Sequence, residues 1–386
     1  MTASRLNGRR IHLAGSIPAE LTHAVTEDVQ NAREFVALLV AELVTRGAAF
    51  VVPVDAEKTR NVDGLPICFD WLIWQTLHAS LAQRPTGAAN PLAVAVLHHK
   101  TEDQVPAEHE RMWEALRGSD LVQLESAAYW NMASKRMEAQ ARWGDILITL
   151  GGSEGVLFLA NLYHDAGKPV IPLNLPICSE ADGSRKLFNF GLSSSQAQKL
   201  FHTDGVGPHG WLNRINFRKT KPTAERVSDL IALLEALAPP KAFAVRLLNP
   251  DHPDFALVEG YFTDVVRPIV EGELGFELCV VDGRQPLEHA RVDQEIFAKL
   301  HRSSVVIADI TGLRPNCFLE LGYAMGRGLP TMLMARKGSE HPFDIYTLSG
   351  LHWNPTESLV ERKQHFREHW AAIRSRPPLV SSEPLI

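Results

Sequence analysis

The chain is poor in cysteine. Its 386 residues include only four, Cys68, Cys178, Cys279 and Cys317, and no two of them form a C-x-x-C pair. That spacing argues against a disulfide framework and against a zinc knot, and it fits a reducing compartment. A second absence is a long apolar run. No stretch approaches the roughly 20 apolar residues of a membrane span, and the N-terminal MTASRLNGRRIHLAGS lacks the apolar core of a secretion signal. The expectation is a cytoplasmic protein without a membrane partner. An excess of positive charge is also missing. Net charge is −6, so bulk electrostatics gives a nucleic-acid partner no support. The local cluster Arg214, Arg218, Lys219 and Lys221 reads as a solvated linker. No metal is expected, since the cysteines are scattered and His98-His99 ends a strand, where adjacent side chains point to opposite faces.

What is present is alternation. Short apolar runs at 11–16, 50–54, 91–97, 121–124, 145–150 and 170–173 read as strands. Between them, 28–46, 111–116 and 134–143 read as helices, as does the stretch after Gly155 to about 166. Alternating strands and helices predict a parallel, doubly wound sheet. The segment 179–222 is rich in Gly, Ser, Asn and His and shows no period, so it reads as an irregular loop. A boundary helix follows at 224–238, and Pro239-Pro240 ends it. The pattern then restarts with strands at 242–248, 276–281, 305–308 and 331–334. Helices are expected at 261–271 and 291–300 and from 318 onward. The fold class is therefore α/β, with two tandem doubly wound parallel-sheet domains, Rossmann-like over 1–240 and flavodoxin-like over 241–386.

The most informative stretch is VVIADITGLRPNCFLELGYAMGRGLPTMLMA, residues 305–335. A buried strand ends at Asp309, a loop with Gly312, Pro315 and Asn316 follows, and Glu320 enters the next helix. In a parallel sheet such loops open at the carboxyl edge, where ligands bind. Two acids, Asp309 and Glu320, are placed there. Glu320 also suits the helix start electrostatically. Asp309 and Asn316 read equally as loop and helix caps. Trp71 and Trp74 in FDWLIWQTLH read as core.

This segment resembles the nucleoside 2-deoxyribosyltransferase-like branch of the TIR-like superfamily, which shows the same strand, Asp, polar loop and Glu-Leu-Gly-Tyr-Ala helix start. The resemblance covers roughly residues 242 to 370. It implies cleavage of an N-glycosidic bond with Glu320 at the anomeric carbon, Asp309 beside it, and Asn249, Asp254, Asn316, Phe318 and Tyr323 around the substrate. A carboxylate suits an oxocarbenium-like transition state because it offsets positive charge or bonds to the carbon. Arg246 is a possible phosphate partner, and 282–289 is a possible cover for the base.

In the first half, Gly15-Ser16 and Gly151-Gly152-Ser153-Glu154-Gly155 both sit at strand-to-helix turns. Such turns let backbone N–H groups approach a phosphate, although any doubly wound domain also needs tight turns. The arrangement resembles the SLOG superfamily of phosphoribohydrolases and nucleotide sensors. Hydrolytic members carry Gly-Gly-x-Gly-Thr-x-x-Glu. Aligning Gly155 with the last glycine puts Val156 in place of the Thr and Leu159 in place of the Glu. Without that acid the site is expected to bind a nucleotide and not cleave it, unless Glu154 substitutes.

The combined expectation is a nucleotide-responsive N-glycosidase acting on NAD or another nucleotide, with no required cofactor. By analogy it is an oligomeric antiviral defence effector. A nucleoside 2-deoxyribosyltransferase and a non-catalytic nucleotide-binding signalling module remain as alternatives.

Overall fold

The computed structural model describes residues 4–19, 24–98, 104–127, 133–216, 221–282, 291–340 and 348–373. Most of 282–289, together with Arg218, Lys219, His99 and the tail from Arg376, lies outside them. Arg214 and Lys221 both pair with Asp229. The chain divides into two compact units between Ala238 and Pro239.

The first unit is built on a six-stranded parallel sheet. Its strands are β1 (Arg10–Ala14), β2 (Ala49–Val54), β3 (Ala93–His98), β4 (Val122–Ala127), β5 (Ile146–Leu150) and β6 (Val170–Leu173), in the order β4-β3-β2-β1-β5-β6. The order reverses between β1 and β5, where Ile11 pairs with Ile146 and Ala14 with Thr149. All five residues of β5 are buried. Helices cover both faces, as a parallel sheet requires. They are α1 (Thr26–Thr45), α2 (Asp70–Ala79), α3 (Ala107–Arg117), α4 (Ala133–Trp143) and α5 (Glu154–Asp165). In α1, Phe35, Val36, Leu39, Val40 and Leu43 are buried at three- and four-residue spacing. Gly47, at φ +74°, follows its end.

The segment expected to be irregular is largely helical. It forms α6 (Gly183–Ser193), a short 3-10 turn and α7 (Pro208–Arg214), before α8 (Thr223–Ala236). Its helicity comes from tertiary contact. A Cβ on Gly191 would sit 2.6 Å from Leu212 and 2.7 Å from Leu200 side chains, so this glycine marks a close helix crossing and not a break.

The second unit carries a five-stranded parallel sheet. Its strands are β7 (Lys241–Val245), β8 (Glu277–Cys279), β9 (Val305–Asp309), β10 (Thr331–Arg336) and β11 (Leu351–Trp353), in the order β11-β10-β9-β7-β8. This is the flavodoxin-like order, and its reversal lies between β7 and β9. The helix expected at 261–271 begins earlier. It is α9 (Phe255–Tyr261), continued by π-helical turns over Phe262–Val266 and Pro268–Glu273. α10 (Val292–His301) and α11 (Pro315–Gly326) follow.

Period-two alternation splits the core of this sheet between its faces. Val305, Ile307, Met332 and Met334 pack with Tyr261, Phe366 and Trp370. Val306, Ala308, Leu333 and Ala335 pack with Cys317, Leu321 and Ala324 of α11.

The switch-point turn of the first unit is tightly appressed. A Cβ on Gly15 would lie 1.6 Å from the Leu150 carbonyl oxygen, and that backbone has nowhere to yield. Gly15→Ala is expected to cost roughly 1–3 kcal/mol or more of stability. Gly260→Ala, where a helical Cβ meets nothing within 4 Å, should be neutral or gain up to about 1 kcal/mol. Thermal unfolding of the two variants checks both.

Candidate active site

Both units place their motif residues at the carboxyl edge beside the strand-order reversal, where open α/β sheets bind ligands. In the first unit the Gly15-Ser16 turn follows β1 and the Gly151-Gly152 turn follows β5. Gly151 and Gly152 have φ of +62° and +72°, a region open to glycine. The Gly152 N–H donates to the Ser16 carbonyl at 2.7 Å. That N–H is therefore committed to joining the turns and is not offered to a phosphate. α6 closes the other side: Ser184 N–H donates to Gly151 O at 2.9 Å, and its hydroxyl lies 2.7 Å from Thr149 O. What remains open is the start of α5. Ser153 precedes it without a side-chain cap bond. Ser153 and Glu154 are exposed, and Gly155 is half-buried.

The same edge holds a carboxylate that the sequence reading passed over. Ser16 bridges to Cys68, and Asp70, two residues further on, lies in the first turn of α2. Burial pushes the Asp70 carboxyl up to about 7 against the pull of Arg136, and Asp55 and Glu57 reinforce the rise. Arg136 itself pairs with Asp55. Among the described residues, one group has metal-ligand spacing: Glu57, Glu108 and His109 hold donor atoms within 4.8 Å of one another.

In the second unit Asp309 is fully buried. One carboxylate oxygen accepts the Thr311 N–H at 2.9 Å. The other accepts Trp353 Nε1–H at 2.7 Å, and the Trp353 ring stacks on Tyr261 at 4.5 Å between centroids. Burial raises the Asp309 carboxyl, and these hydrogen bonds and Arg246 oppose the rise. By alternation Asp309 shares the face of Val305 and Ile307, with Trp353 and Tyr261. Glu320 belongs to α11, on the opposite face. The two acids expected to act together thus leave the sheet on opposite sides. Both carboxylate oxygens of Asp309 are thus engaged by the fold.

Glu320 is different. It is half-buried and forms no hydrogen bond or ion pair among the described residues. Desolvation pushes its carboxyl up to about 7, with Arg314 pulling the other way. Phe318 is half-buried and packs against the core on the α11 face. The Tyr323 hydroxyl meets His301 Nδ1 at 2.7 Å, which ties it to α10.

The helix begins at Pro315 with Arg314 as its cap residue, so Asn316 is not the N-cap. It is exposed in the first turn. Asn249 is exposed and its side chain accepts the Asp251 N–H at 3.2 Å. Asp254 pairs with Arg336 at 3.0 Å, and the Arg336 N–H donates to Thr311 Oγ1 at 2.9 Å. Arg246 is held by Glu259 and lies over Phe262, so it is engaged inside the fold.

A carboxyl whose folded-state pKa lies above its unfolded value binds its proton more tightly when folded. Its contribution to stability is complete below about 4.5 and is lost as pH rises through about 7. Glu320→Gln should therefore raise the Tm at pH 8 relative to the native protein and leave it little changed at pH 4.5. Thermal melts at the two pH values test this.

Comparison with known proteins bears on the first unit. Among curated proteins, none matches the chain. Among the described residues, no helix is long and apolar enough to cross a membrane. The family model described as ATP nucleosidase Cap17-like, N-terminal, matches residues 6–234. That span covers all six strands of the first sheet and more than half of the chain. The protein belongs to the Cap17-like ATP nucleosidase family.

Proposed function

We infer that the protein is a nucleotide-responsive N-glycosidase whose chemistry lies in the second unit. The observation that carries this is Glu320: a half-buried carboxyl at the strand-order reversal, unengaged by the fold and pushed up to about 7 by desolvation. Perturbed, unpartnered acids at such an edge are what glycosidic chemistry uses. The TIR-like resemblance of this unit supports the same role, and the nucleosidase family supports the reaction class.

In the reaction the C1′–N bond breaks and its electron pair leaves with the base. The Glu320 carboxylate bonds to C1′ or shields its positive charge. Water then supplies hydroxyl to C1′ and a proton to the base. The substrate is NAD, ATP or another nucleotide, and no cofactor is required. The first unit binds a nucleotide signal at the start of α5. Assembly of like chains, residence in the cytoplasm and a role in antiviral defence complete the proposal.

One observation favours a second reading. The family match lies on the first unit, which holds its own raised carboxyl at Asp70. There the glycosidase would be Asp70, and the second unit would carry the regulation.

The test is release of free base, followed by chromatography, from NAD, ATP and a nucleoside panel, with and without a second nucleotide. Glu320→Ala should reduce release by at least about a hundredfold, the scale of removing one electrostatic stabiliser of a transition state, while circular dichroism stays native. In the native protein kcat/KM should rise as pH passes about 7, because the ionised carboxylate is the active form. Folded Glu320→Ala with full activity would end this reading.

A further inference from the structure

The loop that leads into the candidate site carries a second unengaged charge. Ile310 O accepts the Leu313 N–H at 3.1 Å, which closes a turn with Gly312 at φ +84°. Leu313 follows at φ +49°, the single positive-φ residue other than glycine among the described residues. A bulky side chain there is an outlier that the surrounding structure must enforce. Arg314 follows as the residue before α11, in extended conformation and without a side-chain cap bond. Arg314, just before the helix, and Glu320, within it, stand three residues to either side of Cys317. Cys317, buried between them, registers both: Glu320 raises its thiol and Arg314 lowers it.

Arg314 forms no hydrogen bond and no ion pair among the described residues, and it is only half-buried. The other arginines near this edge are engaged, Arg246 with Glu259 and Arg336 with Asp254. Arg314 also fails to pair with Glu320, although its charge pulls the Glu320 carboxyl down against desolvation. An unneutralised guanidinium beside an anomeric carbon opposes the positive charge that develops there. A substrate with an anionic group on that side removes the conflict, because the anion takes up the guanidinium and leaves the carboxylate for C1′. A guanidinium fork matches a phosphate in two parallel hydrogen bonds.

Resting on the glycosidase reading of Glu320, we propose that Arg314 is the residue that holds a phosphate of the nucleotide substrate. This sets the deoxyribosyl transfer between free bases apart, since its nucleosides carry no phosphate.

The test uses the full chain with three probes: ATP, NAD and adenosine. For each, kcat/KM for base release is measured in the native protein, Arg314→Ala and Arg314→Lys. The native protein should favour the phosphorylated substrates. Arg314→Ala should lower the ATP-to-adenosine ratio by roughly 10- to 100-fold, the worth of a charge-assisted hydrogen bond, and mainly through KM. Arg314→Lys should recover part of it. An unchanged ratio in Arg314→Ala overturns the proposal.

Should the native protein release no base, the glycosidase reading fails and the phosphate site is still judged. Calorimetric titration of ATP and of ADP-ribose into Glu320→Gln and into Glu320→Gln/Arg314→Ala isolates it. One class of sites lost with the guanidinium sustains it, and identical isotherms overturn it.

Discussion

The second unit depends on how a fully buried carboxylate, Asp309, is satisfied. It ends β9 at the reversal of strand order, where open α/β sheets bind their ligands. Burying a charge without partners is costly enough that the group is neutralised or bonded. Here Thr311 N–H and Trp353 Nε1–H meet its two oxygens. One bond turns the chain into the loop. The other ties β9 to β11 across β10, through a tryptophan stacked on Tyr261. Thr311 in turn receives Arg336, and Arg336 holds Asp254 from the loop after β7. The rim of the site is therefore a connected polar frame, with most of its members committed.

Within that frame Glu320 and Arg314 stand out by being uncommitted. A fold has no structural need for a half-buried acid and a half-buried base that flank one helix without pairing. The same loop and helix carry a desolvated carboxyl at Glu320 and a left-handed Leu313. Backbone strain and unpaired charge gathered at one loop are features that cluster at functional sites. The first unit shows a milder form of the same logic. Its glycines serve mainly to let two turns and a helix start meet backbone to backbone, and the free donors lie one turn later, at the start of α5.

Much of this was legible in the sequence. The apolar runs marked the strands of both sheets except β11 (Leu351–Trp353), a three-residue strand with no run to announce it, and the run ending at Asp309 followed by Glu-Leu-Gly-Tyr-Ala marked the second candidate site. The alternation of 305, 307 and 309 already implies that Asp309 faces away from the following helix, but two acids eleven residues apart read as a pair. Other features were out of reach for physical reasons. In α2 the apolar residues of FDWLIWQTLH outnumber the polar ones, and the exposed face is reduced to Gln75, His78 and Ala79, so the stretch reads as core and Asp70 is not singled out. In α6, Gly183 and Gly191 allow close approach to the Gly151-Gly152 turn and to Leu212 and Leu200, contacts that local sequence does not reveal. The rise of the Glu320 carboxyl is a property of burial, which no local spacing encodes.

The account stands on which carboxylate meets the anomeric carbon. The most direct measurement compares base release by Glu320→Gln and Asp70→Asn under single-turnover conditions, with the same substrate and activating nucleotide for both. Both substitutions keep the shape of the side chain and remove its charge. The account predicts that Glu320→Gln loses release while Asp70→Asn retains the chemical step. Retained chemistry in Glu320→Gln, with loss in Asp70→Asn, would move the reaction to the first unit and contradict it.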